Sequence, residues 1–111
     1  MKLRVISLSG VYDIEGELLL EERSYKEVHL SPFSGDPYSW EHVQLFRTED
    51  QYVLPHRSYS DFKEEPTTIA YYHQNIRKII EYIREHVRSI PLRRLLFERI
   101  REHFPQAAKK P

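Results

Sequence analysis

The stretch EHVQLFRTEDQYVLPH, residues 41–56, decides the fold because it has the pattern of a β-hairpin. Apolar and polar residues alternate in both halves, and a short polar segment separates the halves, as is typical of two strands that bury one face. The pattern pairs Arg47 with Tyr52 and Val43 with His56. This register decides which side chains share a face, because a shift by one residue would exchange the two faces.

The two faces of the predicted hairpin differ in composition. One face carries Val43, Leu45 and Leu54 and is expected to meet the core. The other face carries Trp40, His42, Gln44 and Phe46 opposite Val53, Arg57 and Tyr59. Pro55 has no backbone N–H to donate, so we expect the second arm to end there or to lie at a sheet edge.

Shorter strands are predicted on the N-terminal side of the hairpin. Residues 3–8 and 11–14 are rich in β-branched and other apolar side chains, which favour strands. Residues 18–20 fit either a strand or a buried helical turn, since three apolar residues do not define a period. Residues 25–30 alternate as a strand does, and the proline- and serine-rich stretch 31–39 is predicted to be a loop.

Two helices are predicted on the C-terminal side. Apolar residues recur every three or four positions from Ile69 to Ile83 and again at Ile90. This spacing predicts a threonine-capped helix over residues 68–88 that packs against the sheet and a neighbouring helix. A coiled coil has the same spacing, but the positions that would flank its seam carry no charge, which favours core packing. A second helix is expected from Pro91 to Phe104.

Together these elements predict an α+β protein. We expect a small, mostly antiparallel sheet of four to five strands packed against a C-terminal helical hairpin, because strands that precede helices in the chain segregate from them. Residues 1–104 would form a single domain, since 111 residues do not provide two independent cores. Residues 105–111 are expected to be a flexible C-terminal tail.

The charges of the chain cancel overall but are unevenly distributed. Residues 1–66 hold 7 Lys and Arg against 13 Asp and Glu, a net −6, whereas residues 67–111 hold 10 against 4, a net +6. Such asymmetry indicates either a charged partner for one half or attraction between the halves, within the fold or across a dimer.

The composition also excludes several classes of site. Because the chain has no cysteine, disulfides, thiolate metal sites and a cysteine nucleophile are excluded. No apolar run reaches the ~18 residues that span a bilayer, and the N-terminal residues do not have the pattern of a signal peptide. We therefore expect a cytoplasmic protein that does not enter a membrane.

Two sets of residues suit binding to another macromolecule. The first lies on the aromatic face of the hairpin, and tryptophan, tyrosine and arginine are enriched at the energetically important positions of protein interfaces. The second lies on the basic helices, where the planar fork of arginine suits phosphate. The first set is Trp40, Phe46, Arg57 and Tyr59, and the second is Arg88, Arg93, Arg94 and Arg101.

Three functions of different classes are compatible with these features. The first is a non-enzymatic interaction or regulatory protein that binds a protein partner or a second copy of itself. The second is a nucleic-acid-binding regulator that uses the basic helices, which have the outline of a helix-turn-helix without its turn glycine. The third is a small metal-independent nuclease or hydrolase, with His56 or His42 as base and Arg57 on the phosphate. We expect no cofactor and no metal, because the six histidines do not have the spacing of metal ligands.

Overall fold

The computed structural model describes residues 2–7, 10–24, 27–28, 38–60 and 66–105. Within these residues, the strands are β1 (Lys2–Ser7), β2 (Gly10–Glu15), β3 (Glu17–Arg23), β4 (Glu27–Val28), β5 (Tyr38–Arg47), β6 (Tyr52–Ser60) and β7 (Thr67–His73), and the helices are α1 (Ile76–His86) and α2 (Ile90–His103). The ambiguous residues 18–20 are therefore part of a strand. The predicted tail after residue 105 and residues 31–37 of the predicted loop lie outside the described residues, and β5 already begins at Tyr38.

The strands form two antiparallel sheets. β1 pairs with β2 in a two-stranded hairpin. The larger sheet has the strand order β3–β5–β6–β7, and the short β4 also pairs with β5. Both helices follow the strands in the chain, so the α+β fold and the mostly antiparallel sheet predicted from the sequence are confirmed.

The central hairpin of the larger sheet has the predicted register. β5 pairs with β6 so that Arg47 lies opposite Tyr52 and Val43 lies opposite His56. Side chains alternate between the two faces of a strand, so this register assigns each residue of the hairpin to one side of the sheet.

The position of Pro55 differs from the prediction. β6 neither ends at this proline nor lies at an edge: it continues to Ser60 and lies between β5 and β7, with Pro55 opposite Ala70. The paired residues of β5 and β6 are interrupted around the proline, between His56 and Val53. The backbone N–H that Pro55 lacks is therefore not needed for pairing with β5, so the proline is tolerated inside an interior strand.

The larger sheet buries both of its faces near the hairpin turn, each against a different element. Leu45 and Phe46 are neighbours in sequence and point to opposite sides. Leu45 lies in a helix-side core whose buried residues are Leu20, Val43, Leu45, Leu54, Ile79, Tyr82, Ile83, Val87, Leu92, Leu96 and Ile100. Phe46 lies in a smaller hairpin-side core with Val53 and with Val5 and Ile14 of the β1–β2 hairpin.

The helix predicted over residues 68–88 is wrong in its first part. Residues Thr67–His73 form β7, which pairs with β6 along its whole length, and α1 starts only at Ile76. Threonine, isoleucine and tyrosine favour strands, and the backbone hydrogen bonds to β6 decide the conformation. The regular spacing of apolar residues that predicted one helix therefore extends over two different elements, β7 and α1.

The observed helix α1 is capped by Asn75 instead of a threonine. The Asn75 side chain accepts a hydrogen bond from the backbone N–H of Arg77, at 2.9 Å. Downstream of this cap the predicted core positions are confirmed, since Ile79 and Ile83 are fully buried. Ile90, the last member of the predicted stripe, instead begins α2 and is 57% exposed.

The second helix agrees with its prediction to within one residue at each end. Ser89 caps α2 by accepting a hydrogen bond from the backbone N–H of Leu92, and a proline lies in the first turn, where its missing N–H costs nothing. Leu92, Leu96 and Ile100 face the sheet and are buried. In the part of the chain that the structure describes, neither helix is long and apolar enough to cross a membrane.

Gly16 allows β2 to lead directly into β3 beneath the end of β5. A Cβ atom at this position would lie 2.5 Å from the carbonyl oxygen of Arg47. Any larger residue would therefore push two backbone segments apart. This close approach brings the β1–β2 hairpin against the hairpin-side core.

Candidate binding surface

A polar and aromatic surface lies on the hairpin side of the larger sheet, beside the smaller core. It consists of Glu21 on β3, Trp40, His42 and Gln44 on β5, and Arg57 and Tyr59 on β6. The register brings Trp40 opposite Tyr59 and His42 opposite Arg57. Since these positions alternate with those of the helix-side core, the six side chains project from the same side of the sheet. We refer to them as the polar–aromatic face.

Trp40 and Tyr59 form the aromatic part of this face. Their ring centroids are 5.3 Å apart and their planes differ by 2°, so the rings are stacked. Both residues are half-buried, and neither belongs to the buried clusters found among the described residues. Such a pair contributes roughly 0.5–1.5 kcal/mol beyond its buried area. The stack therefore orders both rings while leaving part of each accessible.

A chain of hydrogen bonds forms the polar part of the face. Nη1 of Arg57 donates to Oε1 of Gln44 at 2.8 Å, and Nε2 of Gln44 donates to Oε2 of Glu21 at 2.6 Å. Nε2 of His42 lies 3.0 Å from the same oxygen of Glu21. This series of hydrogen bonds orients the side chain of Arg57 and occupies one of the five N–H donors of the guanidinium.

The charge state of His42 follows from its surroundings. Burial is the main cause that holds the pKa of His42 below its ordinary value of 6.5, and the charges of Arg57 and Arg23 lower it further, whereas Glu21 raises it through a hydrogen bond and its charge. The net direction is downward, so the imidazole is neutral at pH 7. A neutral His42 donates its Nε2–H to Glu21.

His56 belongs to a different cluster, on the helix side of the sheet. Its Nε2 lies 2.6 Å from Oε2 of Glu41, and its Nδ1 lies 2.9 Å from the hydroxyl of Tyr82. The Glu41 carboxylate also accepts hydrogen bonds of 2.8–3.1 Å from the backbone N–H groups of Arg88 and Ser89. The Glu41–His56–Tyr82 cluster therefore attaches the connection between α1 and α2 to the sheet.

Burial raises the pKa of both acidic groups of this cluster, but the net shift is downward for Glu41 and upward for Tyr82. Burial raises the pKa of Glu41, but the hydrogen bonds from His56, Ser89 and Arg88 and the charge of His56 outweigh it, so the pKa lies below 4.5. Burial, assisted by the negative charge of Glu41 and by Tyr71, raises the pKa of Tyr82 to about 12. At neutral pH the cluster thus contains a carboxylate and a protonated phenol.

The structure separates His56, but not His42, from the arginine of the predicted nuclease site. His42 and Arg57 share the polar–aromatic face, whereas His56 points to the helices and is 5% exposed. Because the predicted register pairs His56 with Val43, it places His42 and His56 on opposite sides of the hairpin, and this is confirmed. No group of three or more histidine, aspartate or glutamate side chains in the described residues could hold a metal ion.

Phe46 was predicted to contact a partner together with Trp40, but its side chain is fully buried in the hairpin-side core. The alternation of the strand assigned Phe46 to the correct side of the sheet. The alternation could not show that β1 and β2 cover the side of the sheet around Phe46. Of the three predicted aromatic contact residues, Trp40 and Tyr59 are therefore the two that stay partly accessible.

The arginines of the predicted basic set lie on α2 or just before it. Arg88, Arg94 and Arg101 are exposed and form no ion pair within the described residues. Arg93 has a structural contact instead: its Nε and Nη2 donate to the carbonyl oxygen of Val87, at 3.2 and 2.6 Å. Within the described residues, three of the four arginine side chains are therefore exposed without an ionic partner.

The acidic and basic halves of the chain meet at few ionic contacts. Among the described residues, one ion pair joins the helices to the strands, between Nε of Arg99 and Oε1 of Glu22 at 3.1 Å. Arg99 also contacts Glu102 within the helix. Within the described residues, Arg99 is therefore the one arginine of α2 that an acidic residue of the strands neutralises.

Two carboxylates of these clusters were missed by the sequence analysis. Glu21 could not be assigned, because the pairing of β3 with β5 depends on a register shift between Leu18 and Leu20 that no pattern reveals. Glu41 did leave a signal: it lies two positions before Val43 and so falls on the core side of β5. A carboxylate on an otherwise apolar face needs a buried partner.

Comparisons with known proteins do not add to this geometry. No family model matches the chain, and no curated protein and no solved structure matches it either.

Proposed function

We propose that this protein is a non-enzymatic binding protein whose polar–aromatic face recognises a protein partner. The observation that carries the proposal is the parallel stack of Trp40 on Tyr59 beside the oriented Arg57, outside the buried clusters described above. These three residue types dominate binding energy at protein interfaces. Since the stack already restricts both rings, they lose little conformational freedom when a partner binds.

The charges of the face favour a protein over a polyanion. Glu21 lies within the series of hydrogen bonds that orients Arg57, and its charge would repel phosphate groups. Residues 1–66, which include the whole face, carry a net −6. A protein segment offers carbonyl or carboxylate oxygens to Arg57, amide or ammonium donors to Glu21, and apolar side chains to the rings. Mixed donors and acceptors of this kind are typical of protein interfaces.

The positions of the histidines support binding instead of catalysis. Both ring nitrogens of His56 face buried partners, and the Nε2 of His42 is directed at Glu21. The side chain of His42 is 14% exposed. A general base must come within hydrogen-bond distance of a substrate proton, and neither side chain is presented to solvent in that way. The cytoplasmic location expected from the sequence stays part of the proposal.

Nucleic-acid binding through the helices is the second candidate, and one arrangement favours it. The guanidinium carbon of Arg84 on α1 lies 5.9 Å from the ring centroid of Phe97 on α2. Arg94 and Arg101 lie three positions before and four positions after Phe97, which places them on the adjacent turns. One guanidinium group thus lies over a half-buried ring, and two further arginines share the side of α2 that carries this ring. This candidate predicts a gel shift that weakens steeply with salt, and no shift at low salt removes it.

The first proposal is tested by affinity capture with the immobilised chain and two variants. We expect a partner that is retained by the wild type, lost by Trp40→Ala and retained by Ile6→Ala. Ile6 is a suitable control because it is an apolar residue of β1 that is 71% exposed and does not belong to the polar–aromatic face. Circular dichroism establishes that both variants are folded. Undiminished capture by Trp40→Ala would remove this face as the binding site.

A further inference from the structure

The hydroxyl of Tyr82 is hydrogen-bonded to a base inside the helix-side core. It lies 2.9 Å from Nδ1 of His56, and Nε2 of the same imidazole lies 2.6 Å from a carboxylate oxygen of Glu41. Because Glu41 is ionised at neutral pH and can only accept, a neutral His56 carries its proton on Nε2. Nδ1 of this tautomer carries no proton. It therefore accepts the hydrogen bond that the Tyr82 hydroxyl donates.

This arrangement gives the phenol of Tyr82 a defined acceptor for its proton. A proton is transferred along a short hydrogen bond, and the 2.9 Å between Tyr82 and His56 is within that range. The imidazolium that forms lies against the negative charge of Glu41, which stabilises the positive form. The backbone N–H groups of Arg88 and Ser89 hold this carboxylate in place. The proton acceptor and its counter-charge are thus already positioned.

The ring of Tyr82 also contacts two rings that lie closer to the surface. Tyr71 on β7 is stacked on it, with centroids 4.7 Å apart and planes that differ by 16°, and the centroid of His86 lies 4.6 Å away. Tyr82 itself is 6% exposed, whereas Tyr71 is half-buried and His86 is exposed. An electron can pass through packed rings without contact between the buried phenol and its oxidant. Tyr82 is therefore shielded from water but connected to the surface for electron transfer.

Proton transfer from Tyr82 to His56 requires that the phenol is oxidised. Burial raises the pKa of Tyr82 to about 12, so the intact phenol keeps its proton at neutral pH. A phenol that has lost an electron is a far stronger acid than an imidazolium, and it gives its proton to any base to which it is hydrogen-bonded. Loss of the electron and transfer of the proton therefore occur together in this cluster.

We propose that Tyr82 is a redox-active tyrosine, which loses an electron to a high-potential one-electron oxidant in solution while its proton moves to Nδ1 of His56. The O–H bond of the phenol breaks, an N–H bond forms on the imidazole, and the oxidant is reduced by one electron. The products are a neutral tyrosyl radical and an imidazolium paired with the carboxylate of Glu41. Uptake of one electron by the radical returns the proton to the phenol. The cluster lies on the helix side of the sheet, so this proposal does not depend on the polar–aromatic face.

Oxidation of the full chain by photogenerated ruthenium(III) tris-bipyridine in mildly alkaline buffer, followed by electron paramagnetic resonance of the frozen sample, tests the proposal. The wild type should give a tyrosyl radical that is lost in Tyr82→Phe. Tyr72→Phe is the matched control and should keep the radical. Tyr72 is half-buried and packs on Tyr12 at 5.2 Å, but its hydroxyl has no hydrogen bond to a histidine within the described residues. A wild type without a tyrosyl radical, or an undiminished radical in Tyr82→Phe, would overturn the proposal.

Electron–nuclear double resonance of the wild-type radical gives a second test that does not depend on a variant being folded. After the proton has moved, the radical oxygen of Tyr82 accepts a hydrogen bond from Nδ1–H of His56. The spectrum should therefore show one well-defined proton coupling to the radical that disappears when the protein is first equilibrated in D₂O. No exchangeable coupling, or the broad distribution of couplings given by a phenol exposed to water, would also overturn the proposal.

Discussion

The imidazole of His56 lies 2.6 Å from the carboxylate of Glu41, and both residues are 5% exposed. The same carboxylate accepts two backbone N–H groups at the start of α2, so one buried anion joins the central hairpin to the helices. A buried charge of this kind is tolerated because its hydrogen bonds replace those of water. Besides the apolar packing of the helix-side core, the side chain of Glu41 therefore attaches the start of α2 to the central hairpin.

Replacement of Glu41 by Gln should lower the free energy of unfolding by about 2–4 kcal/mol. The amide has nearly the same shape, but it has one oxygen in place of two, and it presents its NH₂ group to donors. Urea unfolding measures the effect. Glu49→Gln, an exposed residue between β5 and β6, is the control and should change stability by less than about 0.5 kcal/mol. Equal losses in the two variants would contradict the role of Glu41.

The stability of the protein should fall in acid through Glu41. Because the pKa of Glu41 is lower in the folded chain than its ordinary value of 4.5, its contribution is fully present above pH 4.5 and is lost as the pH falls through the folded pKa. Unfolding measured between neutral and acid pH should show a shallower loss in Glu41→Gln than in the wild type.

Asp13→Asn is a suitable control for the acid experiment. A hydrogen bond from Arg4 and the charge of Arg4 also lower the pKa of Asp13, but this ion pair is fully exposed to solvent. Solvent screens such pairs, so its removal should hardly change the pH dependence. A larger effect of Asp13 than of Glu41 would show that the buried cluster is not the main acid-sensitive group.

Stability should also fall in strong alkali, through Tyr82. Burial raises the pKa of Tyr82 from its ordinary value of 10.0 to about 12. The stabilising contribution is present below pH 10 and is lost as the pH rises towards 12, because only the unfolded chain releases this proton in between. Tyr82→Phe should remove that alkaline loss, whereas Tyr59→Phe should keep it. An ultraviolet titration in which all tyrosines of the folded chain ionise near pH 10 would contradict the assignment.

Trp40 and Phe46, both on β5, should respond differently to truncation. Phe46→Ala should lower the free energy of unfolding by about 3–5 kcal/mol, because it leaves a cavity in the hairpin-side core. Trp40→Ala removes a half-buried ring that stacks on Tyr59, so its effect on unfolding should be clearly smaller. Urea unfolding of both variants decides this. A greater loss for Trp40→Ala would mean that the stack is part of the core.

The sequence predicts the central hairpin well because both arms alternate over many residues and few registers bury the apolar side. The same alternation assigns Trp40 and His42 to one side and His56 to the other. It fails for β7, where Ile69 and Tyr72 fit a helical spacing and only pairing with β6 makes the segment a strand. A tertiary contact outweighs a local pattern there.

The candidate site is less predictable than the fold, because its geometry depends on non-local pairing. Nothing in the sequence places Glu21 beside Gln44, since the two residues meet only through the pairing of β3 with β5. Likewise, the burial of Phe46 depends on where the β1–β2 hairpin packs. The buried partners of Glu41 come from β6 and from the start of α2, which are distant in the chain.

Trp40 is the only tryptophan of the chain, so a fluorine-labelled tryptophan reports on the polar–aromatic face alone. The most direct measurement is a fluorine NMR titration of the labelled chain with the protein that the wild type captures. The proposed function predicts that the Trp40 resonance shifts or broadens and saturates at the midpoint of binding measured by calorimetry. Binding that leaves this resonance unchanged at saturation would contradict recognition through Trp40.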